Sequence, residues 1–321
     1  MQAVRLHEHG GRDVLEVAEV DRPEPGGHEL LVEVAAAGVN PVDTYFREGS
    51  YTPVGLPFTP GVDFAGEVAG IGEYVEGFEV GDRVYGTGVG NATHQGAYAE
   101  YAVVPEDRLV HLPEGADLVE AGAAGVVAGT AWRALIDHAA LDPAEHCLIH
   151  GSSGGVGHAA VQIADAVSAR AIATAAPEYH DAVADLGAET VLDYGRNDLG
   201  DAVVDTAGSG VDVVLDHRLG DYLQLDTDVA SEGARVVGIG ENRQDPGFSA
   251  VGTARSKDVS YQFMSMFNTP DLRVPLRGVA HLMGAGRLSI EVARSYSLDE
   301  AAEAQRAVME DSFLGKLVVE P

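Results

Sequence analysis

The apolar positions of residues 145–240 come in short runs separated by stretches of helical spacing. Cys147-Leu148-Ile149 predicts a buried parallel strand. Behind it, Ala159, Ala160, Ile163, Ala164 and Val167 recur at the spacing of one helix face, which predicts a helix over 157–167. Further strands are predicted over 170–175, 191–193, 211–216 and 234–239. Residues 177–186 predict a helix, with Pro177 in its first turn and Gly187 as its stop. Strands alternating with helices at this spacing predict an α/β fold: a doubly wound parallel sheet with its ligand at the carboxyl ends of the strands.

The pattern before residue 120 is different. Residues 14–20 and 29–35 alternate apolar and polar positions, with Pro23, Pro25, Gly26 and Gly27 marking the turn between them. Residues 61–67, 81–84 and 97–104 continue a strand-rich pattern broken by glycine turns. A helix over 130–138 carries the chain into the parallel sheet, and 259–267 read as the last strand of that sheet. Helices are predicted over 270–286 and 298–310, then a closing apolar strand over 316–319.

A length of 321 residues allows about two domains with real cores. No N-terminal stretch resembles a signal peptide, and the small-residue run 121–131 is glycine-broken and too short to span a bilayer, so a cytoplasmic protein is expected. The single cysteine, Cys147, excludes an intramolecular disulfide and reads as a small core residue. Charge changes the picture more. There are 51 acidic residues against 20 basic ones, a net charge of −31, and Lys257 and Lys316 are the only lysines. The acid is spread along the chain, which points to a halophilic protein adapted to a salt-rich cytoplasm, with an ordinary acidic protein as the alternative. Nucleic acid and anionic membranes are poor partners for such a surface.

The candidate chemistry begins at His150-Gly151-Ser152-Ser153-Gly154-Gly155-Val156-Gly157. This is G-x-x-G-G-x-G, and it misses the strict G-x-G-x-x-G pattern because Ser152 stands where the first glycine should be. Taken alone it also fits a glycine-rich packing turn. Its place between a predicted strand and a predicted helix, with further strands following, favours a dinucleotide, whose pyrophosphate would sit on the helix N-terminus.

Several motifs then agree in order along nearly the whole chain: Gly38-Val39-Asn40-Pro41-Val42-Asp43, Pro60-Gly61-Val62-Asp63-Phe64-Ala65-Gly66, Gly81-Asp82-Arg83-Val84, Gly96-Ala97-Tyr98-Ala99-Glu100-Tyr101, Gly129-Thr130-Ala131-Trp132-Arg133-Ala134-Leu135, the glycine turn, and Gly315-Lys316. Together they resemble the zinc-free quinone oxidoreductase branch of the medium-chain dehydrogenase/reductase family, the zeta-crystallin-like proteins. The resemblance implies a GroES-like β-rich catalytic domain over 1–120, an inserted Rossmann NADP-binding domain over 121–267 and a return to the catalytic domain over 268–321.

Zinc dehydrogenases of that family hold their catalytic metal with a cysteine at the position of Asn40 and a His-Glu pair at Val62-Asp63. Asparagine is a poor zinc ligand and valine is none, so no metal is expected. Scattered histidines do not replace the set: His7 and His9 are expected in a strand, His94 and His111 in loops. Without a Lewis acid, hydride addition to an acceptor that carries its own negative charge is easier than alcohol oxidation. The resemblance assigns the acceptor cleft to Asn40, Tyr45 and Tyr51, an amide and two phenols; packing aromatics are the alternative for the two tyrosines. Asp43 is expected to cap this loop.

The end of the second strand, Thr174-Ala175-Ala176, carries no acid to bind a ribose 2′-hydroxyl, which leaves room for a 2′-phosphate and favours NADPH over NADH. By resemblance, Ser153, Gly154, Gly155 and Val156 hold the pyrophosphate, with Ala176 and Tyr194 near the 2′-phosphate. His180, Arg196 and Arg218 are candidates to add charge there. Thr130, Gly238, Ile239 and Gly240 would face the nicotinamide side, Ser265, Met266 and Phe267 would close it, and Gly220 would lie by the adenosine-side loop. Lys316 is a candidate phosphate contact, or else a surface lysine. The expected activity is NADPH-dependent reduction of a quinone; the alternatives are reduction of an activated alkene (a 2-enoyl group or alkenal) and a low-turnover, crystallin-like nucleotide-binding protein. A homodimer is expected from the apolar strand over 259–267 and from the resemblance.

Overall fold

The computed structural model of the chain describes residues 1–243 and 245–321. Two compact units divide it, one of Met1–Gly129 with Pro270–Pro321 and one of Thr130–Thr269.

The first unit opens with β1 (Gln2–Arg5), β2 (Glu16–Glu19) and the long β3 (Glu29–Gly38), on which Leu30, Leu31, Val32 and Val34 are all buried. Its chain then turns into α1 (Pro41–Glu48). Asn40 occupies the N-cap, Pro41 follows it, the Asp43 carboxylate accepts from the Asn40 backbone N–H, and Gly49 at φ 83° ends the helix. Next come β4 (Asp63–Ile71), β5 (Arg83–Thr87), β6 (Tyr101–Pro105), β7 (Leu109–His111) and α2 (Leu118–Trp132). His111 thus belongs to a strand rather than a loop, whereas His7 and His9 lie beyond the end of β1.

In the second unit β8 (His146–Ile149) leads through the glycine turn into α3 (Gly155–Ala166), then β9 (Arg170–Ala175), α4 (His180–Asp185) and β10 (Thr190–Asp193). The chain returns through α5 (Leu199–Ala207) to β11 (Val211–Asp216), α6 (Leu219–Val229), β12 (Ala230–Gly238), α7 (Val251–Ser256) and β13 (Ser260–Phe263). All six strands are parallel, in the order β10-β9-β8-β11-β12-β13. The winding reverses between β8 and β11, so the ligand crevice of a doubly wound sheet lies at their carboxyl ends. Leu148, Ile172, Val203, Val214 and Val236 form one core of this unit.

The return segment adds α8 (Arg273–Gly284), β14 (Val292–Ser297), α9 (Ala301–Glu310) and β15 (Lys316–Glu320) to the first unit. β15 pairs antiparallel with the end of β3, Val318 opposite Gly38, and completes a sheet ordered β14-β15-β3-β4-β5-β7, with β6 also on β3.

Several boundaries differ from expectation. The division at Gly129/Thr130 and Thr269/Pro270 replaces the expected breaks after 120 and 267. Most of α2 stays with the first unit because Gly122 and Gly125 allow it to press on the Ala36 carbonyl and the Asp63 carboxylate. The expected helix over 177–186 is a 3-10 turn, Pro177–Tyr179, followed by α4. The last parallel strand stops at Phe263, and Met266–Asn268 form a 3-10 turn whose Phe267 N–H donates to Ser265 Oγ.

Candidate active site

In the first unit, four side chains from three stretches of sequence meet inside the protein: Asn40, Asp43, Asp63 and Lys316, each at most 4% exposed. The Asn40 amide Nδ2 donates to Asp63 Oδ2 at 2.8 Å, and its Oδ1 accepts from the Lys316 ammonium at 2.7 Å. Lys316 Nζ also donates to the Val39 carbonyl. Asp63 Oδ1 accepts from Val126 N at 2.9 Å. Asp43 accepts from the N–H groups of Asn40 and Val62 and from the Tyr98 hydroxyl at 3.2 Å. Glycines make the space: a Cβ on Gly125 would stand 2.5 Å from Asp63 Oδ1, and one on Gly38 would stand 3.1 Å from its Oδ2.

Burial raises both carboxyls, Asp43 to about 7 and Asp63 to about 6, against the pull of Lys316 in the other direction. Burial lowers the ammonium, while the two carboxylates draw it back up. Lys316 therefore stands elsewhere than expected. It is buried rather than a surface lysine, and its Nζ serves Val39 and Asn40 inside the first unit, because β15 pairs with the end of β3 and carries the side chain inward.

Nor do these residues form a metal-ligand set. The Val62 side chain has no ligating atom, the Asn40 carbonyl faces an ammonium, and among the described residues no group of three or more His, Cys, Asp or Glu is arranged to hold an ion.

Tyr45 and Tyr51 come together at one end of α1. Their rings meet edge to face at 5.7 Å, and Tyr51 also packs on Phe46 at 5.5 Å. Tyr45 is half-buried, whereas Tyr51 is 48% exposed. Asn40 differs from the two phenols. One of its amide hydrogens is engaged by Asp63, and the other has the Gly38 carbonyl at 3.4 Å, the length limit of such a bond.

In the second unit the glycine turn lies at the carboxyl end of β8, with Ser153, Gly154, Gly155 and Val156 half-buried. Gly154, at the N-cap of α3, brings no side chain to satisfy the first-turn amides. Gly151 has φ 66°, and a Cβ on Gly157 would stand 2.4 Å from the Gly151 carbonyl oxygen, so these glycines shape the turn. An uncapped helix start over a tight turn suits a diphosphate. Ala176 is buried just past β9, and Tyr194 is 50% exposed just past β10.

Gly238, Ile239 and Gly240 line a hollow of about 320 Å³ with Leu219, Arg243 and Met264. Gly220 is buried in the first turn of α6 against Asn242 and Arg243. Met266 is buried beyond β13, Ser265 and Phe267 are exposed, and Thr130 is buried in α2.

Two of the expected phosphate cations are engaged elsewhere: Arg196 bonds both oxygens of Asp198, and Arg218 bonds Asp221. His180 meets the Ala175 carbonyl at 3.2 Å. Arg243, which lines the hollow, was not among the sequence candidates.

Sequence reasoning also missed a buried polar chain below the turn. His150 Nε2 contacts Asp226 Oδ1 at 2.9 Å, Asp226 is within hydrogen-bond reach of Asp216, and Thr174 Oγ1 lies between His150 Nδ1 and the Gly151 N–H. The Tyr222 ring stacks on His150 at 4.2 Å. Burial lowers His150 to about 4 and raises both carboxyls. Among the described residues no donor reaches the Oδ2 atoms of Asp216 and Asp226, which a proton shared between the two carboxyls would supply. The only sequence signal was polar residues at the ends of apolar strands.

Comparison with known proteins agrees with this architecture. Residues 26–114 match the family model of the alcohol dehydrogenase GroES-like domain, and residues 186–319 match that of zinc-binding dehydrogenases. Quinone oxidoreductase of Lama guanicoe is 35% identical over 99% of this chain and 97% of its own length. Among solved structures, an NAD-dependent alcohol dehydrogenase superposes with a TM-score of 0.93 at 30% identity, and the Escherichia coli quinone oxidoreductase complexed with NADPH with a TM-score of 0.87 at 26% identity, each over 100% of both chains. With an inserted parallel sheet, a GroES-like unit and a full-length relative at this identity, the chain belongs to the quinone oxidoreductase branch of the medium-chain dehydrogenase/reductase family.

Proposed function

We propose that this protein is an NADPH-dependent reductase of quinones that works without a metal ion. The observation that carries the reading is the state of the metal-ligand positions. Asn40 and Asp63 are hydrogen-bonded to each other, and Asn40 to a buried ammonium, so the site is closed by protein groups. The bound dinucleotide would supply the hydride. The uncapped start of α3, with Ser153, Gly154, Gly155 and Val156, would hold its diphosphate. The absence of an acid in Thr174-Ala175-Ala176 leaves room for a 2′-phosphate, and the exposed Tyr194 just past β10 is a candidate to meet it.

A quinone that accepts hydride carries its new negative charge on oxygen, and hydrogen-bond donors then suffice to stabilise it. Asn40 would offer its weakly engaged amide hydrogen, and Tyr45 and Tyr51 their phenols. The test is oxidation of NADPH by a panel of quinones, enals and enoyl thioesters. Turnover should be highest with quinones, survive a chelator, and proceed without stoichiometric zinc by elemental analysis. Loss of activity to the chelator and recovery with zinc would overturn the metal-free part.

A second reading, reduction of activated alkenes, is favoured by the 48% exposure of Tyr51. Such a product needs a proton on carbon, and an accessible phenol can deliver one.

A further inference from the structure

We propose that Lys316 is a positioning residue for the acceptor half of the reaction: with Asp63 it holds the Asn40 amide in one orientation, carbonyl oxygen toward a buried cation and nitrogen toward a buried carboxylate. The proposal rests on the reading of Asn40 as a donor to the acceptor oxygen.

An asparagine amide is nearly symmetric in shape, so its partners decide which end points where. Lys316 can only donate, and it meets Oδ1 at 2.7 Å; an ionised Asp63 can only accept, and it meets Nδ2 at 2.8 Å. Turning the amide over would set N–H against ammonium and carbonyl against carboxylate, two repulsive contacts inside a dry interior. One amide hydrogen remains, and among the described residues its partner is the Gly38 carbonyl at 3.4 Å. The lock thus leaves one donor aimed in a fixed direction.

The chain builds this lock from its two ends of the sheet. Asn40 and Lys316 are 276 residues apart, but β15 runs beside the end of β3 and the Val39 N–H donates to the Leu317 carbonyl at 2.9 Å. Titratable groups face the ammonium from α1 (Asp43) and from β4 (Asp63), and the Tyr98 phenol donates to Asp43 from the loop before β6. With both carboxyls ionised the cluster would hold one uncompensated negative charge, so the ammonium decides how readily Asp63 gives up its proton. A protonated Asp63 no longer holds the amide nitrogen as an obligate acceptor. The reaction should therefore lose rate as pH falls through the ionisation of Asp63, and removing the ammonium should move that acid limb to higher pH.

The experiment compares wild type with Lys316→Met, Lys316→Gln and Asp63→Asn, measuring kcat and KM for a quinone across pH and NADPH binding by fluorescence. Lys316→Met should lower kcat at least tenfold, leave the NADPH Kd within twofold, and move the acid limb up by one pH unit or more. Lys316→Gln keeps an N–H for Asn40 Oδ1 but no charge, so it should recover part of kcat while keeping the displaced limb. Asp63→Asn should lower kcat at every pH and flatten the limb. If folded Lys316→Met keeps the wild-type kcat and limb, the lysine is merely a core filler and the proposal falls. If Lys316→Met does not fold, wild-type kcat and limb in Asp63→Asn overturn it equally. A wild type inactive with every acceptor sinks the proposed function itself, which is a different failure from active variants that match the wild type.

Discussion

The carboxyl groups of Asp43, Asp63, Asp216 and Asp226 are fully buried, and burial makes all four bind protons more tightly than the ordinary value of 3.8, at about 7, 6, 7 and 8. Between 3.8 and those raised values the folded protein keeps protons that the unfolded chain has released, so the carboxyls' contribution to stability falls as pH rises from about 4 to about 8. Buried His150 and His158 act in the other direction. Held near 4 by burial, they stay neutral when folded while the unfolded chain takes up protons below 6.5, so they favour the fold as pH rises toward 6.5 and contribute no slope above it. The two effects oppose each other in acid, and only the carboxyls remain above neutrality. The thermal midpoint should therefore drop between pH 6.5 and 8.5, and Asp226→Asn should flatten that drop; an unchanged slope in the variant would remove the shared-proton account. At the same scale, Tyr51→Phe separates the two substrate readings. It should cut turnover of enals or enoyl thioesters on the order of 100-fold, as loss of a general acid does, and that of quinones much less. Equal losses on both would leave the phenol as a packing group for Tyr45 and Phe46.

Two elements make their own predictions. The turn before α3 depends on the absence of a side chain at Gly157, where a Cβ would stand 2.4 Å from the Gly151 carbonyl oxygen and 2.7 Å from Ser152 Cα. Gly157→Ala must open the turn, and NADPH affinity should fall about tenfold, equivalent to ~1.4 kcal/mol, with quinone KM little changed. An unaltered Kd in a fluorescence titration would mean that the turn packs without holding phosphate. At the far edge of the same sheet, β13 pairs with β12 and, among the described residues, with no other strand, and Phe263 at its end is 66% exposed. An apolar open edge invites pairing with a second copy. Light scattering in high salt should give twice the mass of one chain, and Phe263→Glu should shift the protein toward the monomer; a monomeric wild type ends the argument.

Across the whole molecule, a net charge of −31 is confined to one folded chain, and its two lysines are tied to carbonyl and amide oxygens rather than to surface carboxylates. Lys257 donates to the Thr227 and Asp228 carbonyls at the end of α6, and Lys316 lies in the network around Asn40. Surface ion pairs among the described residues are made by arginine and, when protonated, by histidine, and contribute about 0–1 kcal/mol each. Summed self-repulsion is then comparable to a domain's total stability of about 5–15 kcal/mol. Salt should relieve it by screening up to about 1 M, and salting-out anions should add to this by strengthening apolar burial. Thermal midpoint and NADPH oxidation should both rise with potassium chloride; flat curves from low salt to several molar would require another cause for the acidity.

How much was legible follows from the range over which each feature is encoded. Local order sufficed for the parallel sheet, because a buried strand such as Cys147-Leu148-Ile149 and the small-residue face of α3 announce themselves within a dozen residues. It suggested also that Asp43 caps its loop, since a capping contact spans three residues; that its partner is the Asn40 backbone N–H came from the structure. Element ends were less visible: β13 stops at Phe263 although apolar residues continue, because Ser265 caps a new turn. The roles of Asn40 and Lys316 were beyond local reading. A lysine at position 316 looks like any charged residue until the pairing of β15 with β3 brings it to an asparagine 276 residues away, and the His150–Asp226–Asp216 chain forms only where three strand and helix ends meet. The sequence by itself determined which elements form and which residue types stand at the candidate site, since propensity, capping and periodicity act over neighbours. Only the tertiary structure decided which polar groups are buried together and which proton or charge each must share, because hydrogen bonding and desolvation depend on neighbours in space.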